Sequence, residues 1–171
     1  MRRSAAAVGS AAFFIAAPGT VVGVVPWLIT RWEISGSGAA WRVVQVVGVL
    51  LIAAGLVPLV HAFAQFAGAG GTPMPLAPTQ RLVVTGFHRI VRNPMYVGLV
   101  LIITGQALLF GNLWLLLYAA AVWAATASFV HWYEEPTLLR EYGDEYQEYR
   151  RNVRAWVPRR RPWTPSAPTS S

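Results

Sequence analysis

Residues 93–133 read NPMYVGLVLIITGQALLFGNLWLLLYAAAVWAATASFVHWY, a stretch without a single Asp, Glu, Lys or Arg. As one helix rising 1.5 Å per residue it would be roughly 60 Å long, about twice the hydrocarbon core of a bilayer. A single crossing cannot use that length. Gly111 and Asn112, residues suited to turns, divide it. The stretch therefore predicts a tight hairpin of two membrane helices, near 94–110 and 113–133.

Two more apolar stretches lie N-terminal to the hairpin. Ser4 to Thr30, between Arg3 and Arg31, is free of charge and would be roughly 40 Å long as a helix, enough to cross with tilt. Pro18 and Pro26 predict kinks within it. Met-Arg-Arg followed by an Ala-rich run resembles a secretory signal, yet the apolar segment outruns a normal signal core and reads as an uncleaved anchor. From Arg42 to about Ala67 the chain is again apolar, interrupted by Gln45, Pro58, His61 and Gln65. The expected fold is an all-α membrane protein: four transmembrane helices near 5–30, 42–66, 94–110 and 113–133, followed by a cytoplasmic C-terminal amphipathic helix. Composition agrees, with 55% of the 171 residues hydrophobic and 12% charged.

All 14 basic residues are Arg, and their placement sets orientation through the excess of positive charge on cytoplasmic loops. Four crossings put Arg2 and Arg3, the middle loop's Arg81, Arg89 and Arg92, and every Arg from Arg140 to Arg161 on one side. Only Arg31 and Arg42 fall on the other. Both termini are thus expected in the cytoplasm, with the protein multi-pass in the cytoplasmic membrane. The formal charge of +7 is spread along juxtamembrane segments that suit anionic headgroups rather than nucleic acid. Without Cys there is no disulfide, thiolate metal site or cysteine nucleophile. No metal site is expected, and oligomeric state is not legible.

The chain divides into an N-terminal helix pair at 1–67, a catalytic region of loop, hairpin and cytoplasmic helix at 68–158, and a disordered basic tail at 159–171. Gly68 to Asn93 is too rich in Gly and Pro for helix in its first half. Its second half sets Arg89, Arg92 and His88 against Asn93, suited to an N-cap, and Pro94, suited to a first helical position. Free N–H groups and two guanidinium groups would converge there, either as a site for a carboxylate or phosphate or as a plain positive-inside anchor. Gly98 and Gly105, seven residues apart on one face, admit a close neighbour, either a helix or a ligand. Tyr96 offers a hydroxyl and an aromatic face, or serves as an interfacial anchor.

Where the fourth helix ends, Ser128, His131 and Glu135 share one face at regular helical spacing, a polar stripe expected to face the bundle interior. Adjacent Glu134 and Glu135 would bind an ammonium or ribose hydroxyls, or neutralise Arg89 and Arg92 as a structural ion pair. Beyond Pro136, Leu138, Leu139, Tyr142, Tyr146, Tyr149 and Val153 form an apolar stripe that is expected to lie along the membrane or to close over the hairpin's mouth.

Two motifs resemble the integral membrane methyltransferases that include isoprenylcysteine carboxyl methyltransferase and phospholipid N-methyltransferases. Gly86-Phe-His-Arg-Ile-Val-Arg-Asn-Pro-Met-Tyr-Val-Gly98 is similar to that family's Gly-x-x-Arg-x-x-Arg-(His or Asn)-Pro-x-Tyr-x-Gly. Glu134-Glu135-Pro-Thr-Leu138 and Tyr142-Gly143-Asp-Glu-Tyr146-Gln-Glu-Tyr149 resemble its Glu-Glu-x-x-Leu and Phe-Gly-x-x-Tyr-x-x-Tyr. Val153-Arg-Ala-Trp-Val-Pro158 resembles Val-Pro-Arg-Trp-Ile-Pro, with Ala155 at the expected Arg position. The resemblance implies S-adenosylmethionine as cofactor and a lipophilic small molecule or lipid as acceptor. It also implies a pocket with His88, Arg89, Arg92, Asn93, Pro94, Tyr96 and Gly98 on one side and Glu134 and Glu135 on the other. His131 joins the cofactor-binding set, and Arg92 and Glu135 are the residues expected to be catalytic. Asn93 replaces the His typical of the isoprenylcysteine enzymes, and Phe87-His88 stand where Pro-Tyr is frequent. The alternatives are a membrane reductase using NADPH, since sterol reductases are similar in this region, and a non-catalytic lipid-binding membrane protein.

Overall fold

The computed structural model describes residues 16–36, 38–68, 82 and 84–164, and among them there is helix and no strand. Helix α1 is Ala16–Thr30, α2 is Ala39–Gly68, α3 is Pro94–Phe110, and α4 is Leu113–Phe129, which continues through a π-helical turn, Val130–Glu134, into α5, Glu135–Asn152. A short 3₁₀ turn, Gly86–Arg89, precedes α3. Two of these helices are long and apolar enough to cross a membrane, one beginning at Ala39 and one at Leu113; Ala16–Thr30 and Pro94–Phe110 are shorter apolar helices. The start of the first expected helix and most of the Gly- and Pro-rich loop lie outside the described residues. The hairpin turns where the sequence places it, with Gly111 at φ +69° and the Asn112 side chain accepting from the Trp114 N–H at 2.9 Å.

The chain forms two compact units, one of residues 1–76 and 95–126, the other of 77–94 and 127–171. In the first, α2 and α3 meet through glycines. A Cβ added to Gly48 would stand 2.6 Å from the Gly105 carbonyl oxygen, and one on Gly55 would stand 2.5 Å from that of Gly98. The two helices thus touch backbone to backbone at two points seven residues apart on each. The close neighbour that Gly98 and Gly105 admit is a helix, here as in many membrane bundles. Leu59, Leu99 and Ile102 fill the space beside this seam, with Met95, Tyr96 and Phe63 packed on them.

Pro26 explains two polar contacts of this unit. It has no N–H for the carbonyls four and five residues before it, those of Val22 and Val21. Gln106 on α3 donates to Val22 at 2.7 Å, and the Tyr118 hydroxyl on α4 donates to Val21 at 3.0 Å. Buried Gln106 is therefore satisfied by a defect in another helix. Thr20–Val24, two residues before Pro26, is π-helical, which widens the turn that the proline ring would otherwise crowd.

The second unit is built on Tyr146, Tyr149 and Val153, which are 2%, 5% and 0% exposed, with Leu82, Val84, Leu138, Tyr142 and Trp163 packed around them. The apolar stripe of α5 is thus buried largely against the protein's own chain, and burial of each large side chain contributes roughly 2 kcal/mol. Leu139 is the exception at 37% exposed, so the stripe is not uniformly buried. Nor is α5 one straight helix: Gly143 has φ +49° and ψ −119° and breaks it. The basic tail also differs from expectation at its start. The Arg159 N–H donates to the Ile90 carbonyl at 2.9 Å and the Trp163 N–H to that of Arg89 at 2.8 Å, so the chain is tied down as far as Thr164.

Candidate active site

The 3₁₀ turn and the residues after it, His88 to Pro94, are held from two directions inside the second unit. The Arg92 and Asn93 N–H groups donate to the carbonyls of Arg154 and Ala155 at 2.9 and 3.2 Å, and the Asn93 side-chain amide donates to the Ala155 carbonyl as well, at 3.2 Å. Position 155 contributes its backbone oxygen, which Ala supplies as well as Arg. From the other direction, the buried Tyr149 hydroxyl donates to the His88 carbonyl at 2.8 Å. His88 Nδ1 in turn lies 3.1 Å from the Arg92 carbonyl. The segment entering α3 is therefore fixed on both sides by the end of the chain.

Arg92 stands at the centre of this frame. Its Nη1 donates to Glu135 Oε1 at 2.7 Å and to the Tyr146 hydroxyl at 3.1 Å. The two charged side chains are 11% and 12% exposed, well inside the range where an ion pair is poorly screened. Arg150, half-exposed, reaches the other Glu135 oxygen at 3.6 Å. Residues from both motifs, with a whole hairpin between them in sequence, thus meet at one point.

Arg92 Nε and, on the residue before Glu135, Glu134 Oε2 are buried with no hydrogen-bond partner. Such atoms cost about 1–3 kcal/mol each. Burial, and next to it the neighbouring Glu135 charge, pushes the Glu134 carboxyl above its ordinary value of 4.5. Burial likewise pushes the Tyr146 and Tyr149 hydroxyls up, which keeps them neutral hydrogen-bonding groups.

Arg89 has a different occupation. Its Nε donates to the Trp163 carbonyl at 2.8 Å and its Nη2 to the Thr164 hydroxyl at 2.7 Å. Tyr96 and Gly98 belong to the first unit, where Tyr96 packs beside Leu99 and Gly98 meets Gly55. His131 is exposed, its ring set edge-on to Trp132, and Ser128 is exposed too. The inward polar stripe of Ser128, His131 and Glu135 does not form. The π-helical turn Val130–Glu134, which closes with the Glu135 N–H on the Val130 carbonyl, takes Glu135 off the exposed face that Ser128 and His131 share. It inserts about one extra residue per turn and rotates everything after it off the 3.6-residue register.

Tyr146, Tyr149 and Arg150 were not among the expected site residues. The first two were legible only as an apolar stripe, although a stripe made of Tyr carries hydroxyls at each buried position, and buried hydroxyls find partners. No signal marks Arg150.

The phospholipid methyltransferase family model matches residues 43–145, and the chain belongs to that family. Over 78 residues it is 33% identical to a protein-S-isoprenylcysteine O-methyltransferase of Schizosaccharomyces pombe, a stretch covering 45% of this chain and 33% of that protein. The chain thus matches about a third of the length of that relative. No solved structure matches.

Proposed function

We propose that this protein is a multi-pass membrane methyltransferase that takes its methyl group from S-adenosylmethionine and gives it to a lipid or other lipophilic acceptor at the cytoplasmic surface. The observation that carries this reading is the meeting of Arg92 and Glu135, with a buried donor on Arg92 itself, Nε, and a buried acceptor on the residue before Glu135, Glu134 Oε2, both lacking partners. A zwitterionic amino acid presents the matching pair, a carboxylate to accept from Arg92 and an ammonium to donate to Glu134. The donor set present therefore fits the amino-acid end of S-adenosylmethionine.

In this reading Arg92 orients the cofactor carboxylate through its guanidinium, itself held by Glu135 and Tyr146. Glu134 receives the ammonium or a ribose hydroxyl, and the cation draws its carboxyl back to the charged form. His88, Asn93 and Pro94 shape the wall through the backbone that Tyr149 and Ala155 hold. Arg89 acts one step removed, by holding the chain at Trp163 and Thr164. Tyr96 and Gly98 act within the first unit, Tyr96 by packing beside Leu99 and Gly98 by letting helices approach. The cofactor, when bound, supplies an electrophilic methyl on a sulfonium. The chain's part would be to position the acceptor and exclude water, so positioning and electrostatics would supply most of the acceleration. A carboxylate acceptor needs no base, whereas an amine acceptor must lose its proton, for which Glu135 and His131 are the candidate bases.

Both termini are cytoplasmic in this reading, as the arginine distribution requires. Neither an NADPH-dependent reductase nor a non-catalytic lipid-binding protein gains support from the family match. The test is to incubate membranes carrying the protein with methyl-labelled S-adenosylmethionine and identify the labelled lipid. Label in a lipid extract with the intact protein, and none with Arg92→Ala at equal abundance, is the expected result. Equal labelling by both would refute the role given to Arg92.

A further inference from the structure

Six arginines, Arg150, Arg151, Arg154, Arg159, Arg160 and Arg161, fall within twelve residues, and no Asp or Glu occurs from Tyr149 to the last residue. The acids of this region all precede them: Glu141, Asp144, Glu145 and Glu148, with Glu145 accepting from the Leu82 N–H at 2.8 Å. Arg150, Arg151, Arg154, Arg160 and Arg161 are exposed. Composition alone makes this a solvated tail, but the backbone bonds make it a built surface. Arg154 and Ala155 accept from Arg92 and Asn93, Arg159 donates to Ile90, and Trp163 donates to Arg89. Trp163 also packs its ring on Tyr149, centroids 5.7 Å apart.

We infer that the segment from Arg150 to Thr164 is a docking surface for anionic phospholipid headgroups of the bilayer, and that the headgroups it holds stabilise the cofactor site. Two features favour a bilayer over a nucleic acid. Exposed apolar surface interrupts the arginines at Val157, which is 54% exposed, and a basic segment carrying apolar residues matches the boundary between headgroups and acyl chains. The arginines also lack the exposed stacking aromatics interleaved with a groove that single-stranded nucleic acid uses. Trp156 is half-buried.

The coupling follows from the same bonds. The segment whose side chains meet the headgroups is the one whose carbonyls hold the Arg92 and Asn93 N–H groups. Fixing it to the membrane limits its fraying and so limits loss of the Arg92 geometry. This last step rests on the site proposed above, whereas the docking surface does not.

The experiment uses the full chain in nanodiscs of phosphatidylcholine and in nanodiscs of phosphatidylcholine mixed with phosphatidylglycerol. Amide hydrogen exchange of residues 150–164 is expected to slow at least about tenfold in the anionic discs. The variant Arg151→Gln/Arg154→Gln/Arg160→Gln/Arg161→Gln is expected to lose that difference while exchanging like the intact protein in neutral discs. Exchange that is the same in both lipids, or slowing that survives in the variant, overturns the docking surface whatever the protein catalyses. Protection by a short RNA in neutral discs with none by phosphatidylglycerol would overturn it in favour of nucleic acid. If the docking surface holds, S-adenosylhomocysteine should bind more tightly in anionic than in neutral discs, and equal affinity overturns the coupling alone.

Discussion

Removing either charge of the Arg92–Glu135 pair should cost far more than removing both. Glu135→Gln leaves a guanidinium that is 11% exposed without its counter-charge, and Arg92→Met leaves a carboxylate that is 12% exposed in the same position. Breaking a buried pair from one side costs about 3–5 kcal/mol. Here two contacts reduce that figure. Arg92 keeps the Tyr146 hydroxyl at 3.1 Å, and Glu135 keeps Arg150 at 3.6 Å, a contact that is half-exposed and so worth little. A coupling energy of about 2–3 kcal/mol is therefore expected from the cycle of both single variants and the double variant. The assay is reversible unfolding of the purified protein in mixed detergent micelles, followed by circular dichroism. A coupling below about 0.5 kcal/mol, the value of an exposed pair, would refute the buried geometry.

Other consequences follow from the same structure. Glu134→Gln should stabilise the protein at neutral pH. The Glu134 carboxyl has a raised pKa, so its charged form is the one folding disfavours; the penalty is absent below the ordinary value of 4.5, grows as pH rises past it, and disappears from the variant. Stability curves against pH that diverge upward from about that value check this, and curves that diverge toward acid would contradict it. Gly55→Val should destabilise by about 1–3 kcal/mol in the same micelles, because a Cβ there meets the Gly98 oxygen at 2.5 Å and Ile102 Cγ1 at 2.8 Å. Gly19→Ala, with nothing within 4 Å, should instead gain about 0.5–1 kcal/mol. Gly143→Ala should cost about 1–2 kcal/mol through its left-handed backbone alone, since no neighbour stands within 4 Å of the added carbon.

The hairpin was legible because two signals coincide, a charge-free run too long for one crossing and a Gly-Asn pair at its middle. The meeting of Arg92 with Glu135 was legible as opposite charges beside apolar helices, a cost that pairing removes. Gly98 and Gly105 announced a close approach, and the partner could have been read from Gly48 and Gly55, which repeat the same spacing on α2. What was not legible came from departures from regular helix. The π-helical turn at Val130–Glu134 takes Glu135 off the face of Ser128 and His131, which a strict 3.6-residue reading gives to all three. Gly143 reads as a tolerated helical glycine unless its φ is known. The ordered start of the tail rests on backbone hydrogen bonds and one anchoring side chain, Trp163, and backbone partners leave no mark in composition.

The central claim is that Arg92 and Glu134 grip the amino-acid end of one methyl donor. Calorimetric titration of the detergent-purified protein with S-adenosylhomocysteine tests it most directly, with each variant's unfolding measured alongside. Saturable binding by the intact protein, and its loss in Glu134→Gln, a variant expected to be more stable at neutral pH, is the predicted result. Undiminished binding by Glu134→Gln and Arg92→Ala together, or no binding by the intact protein, would contradict it.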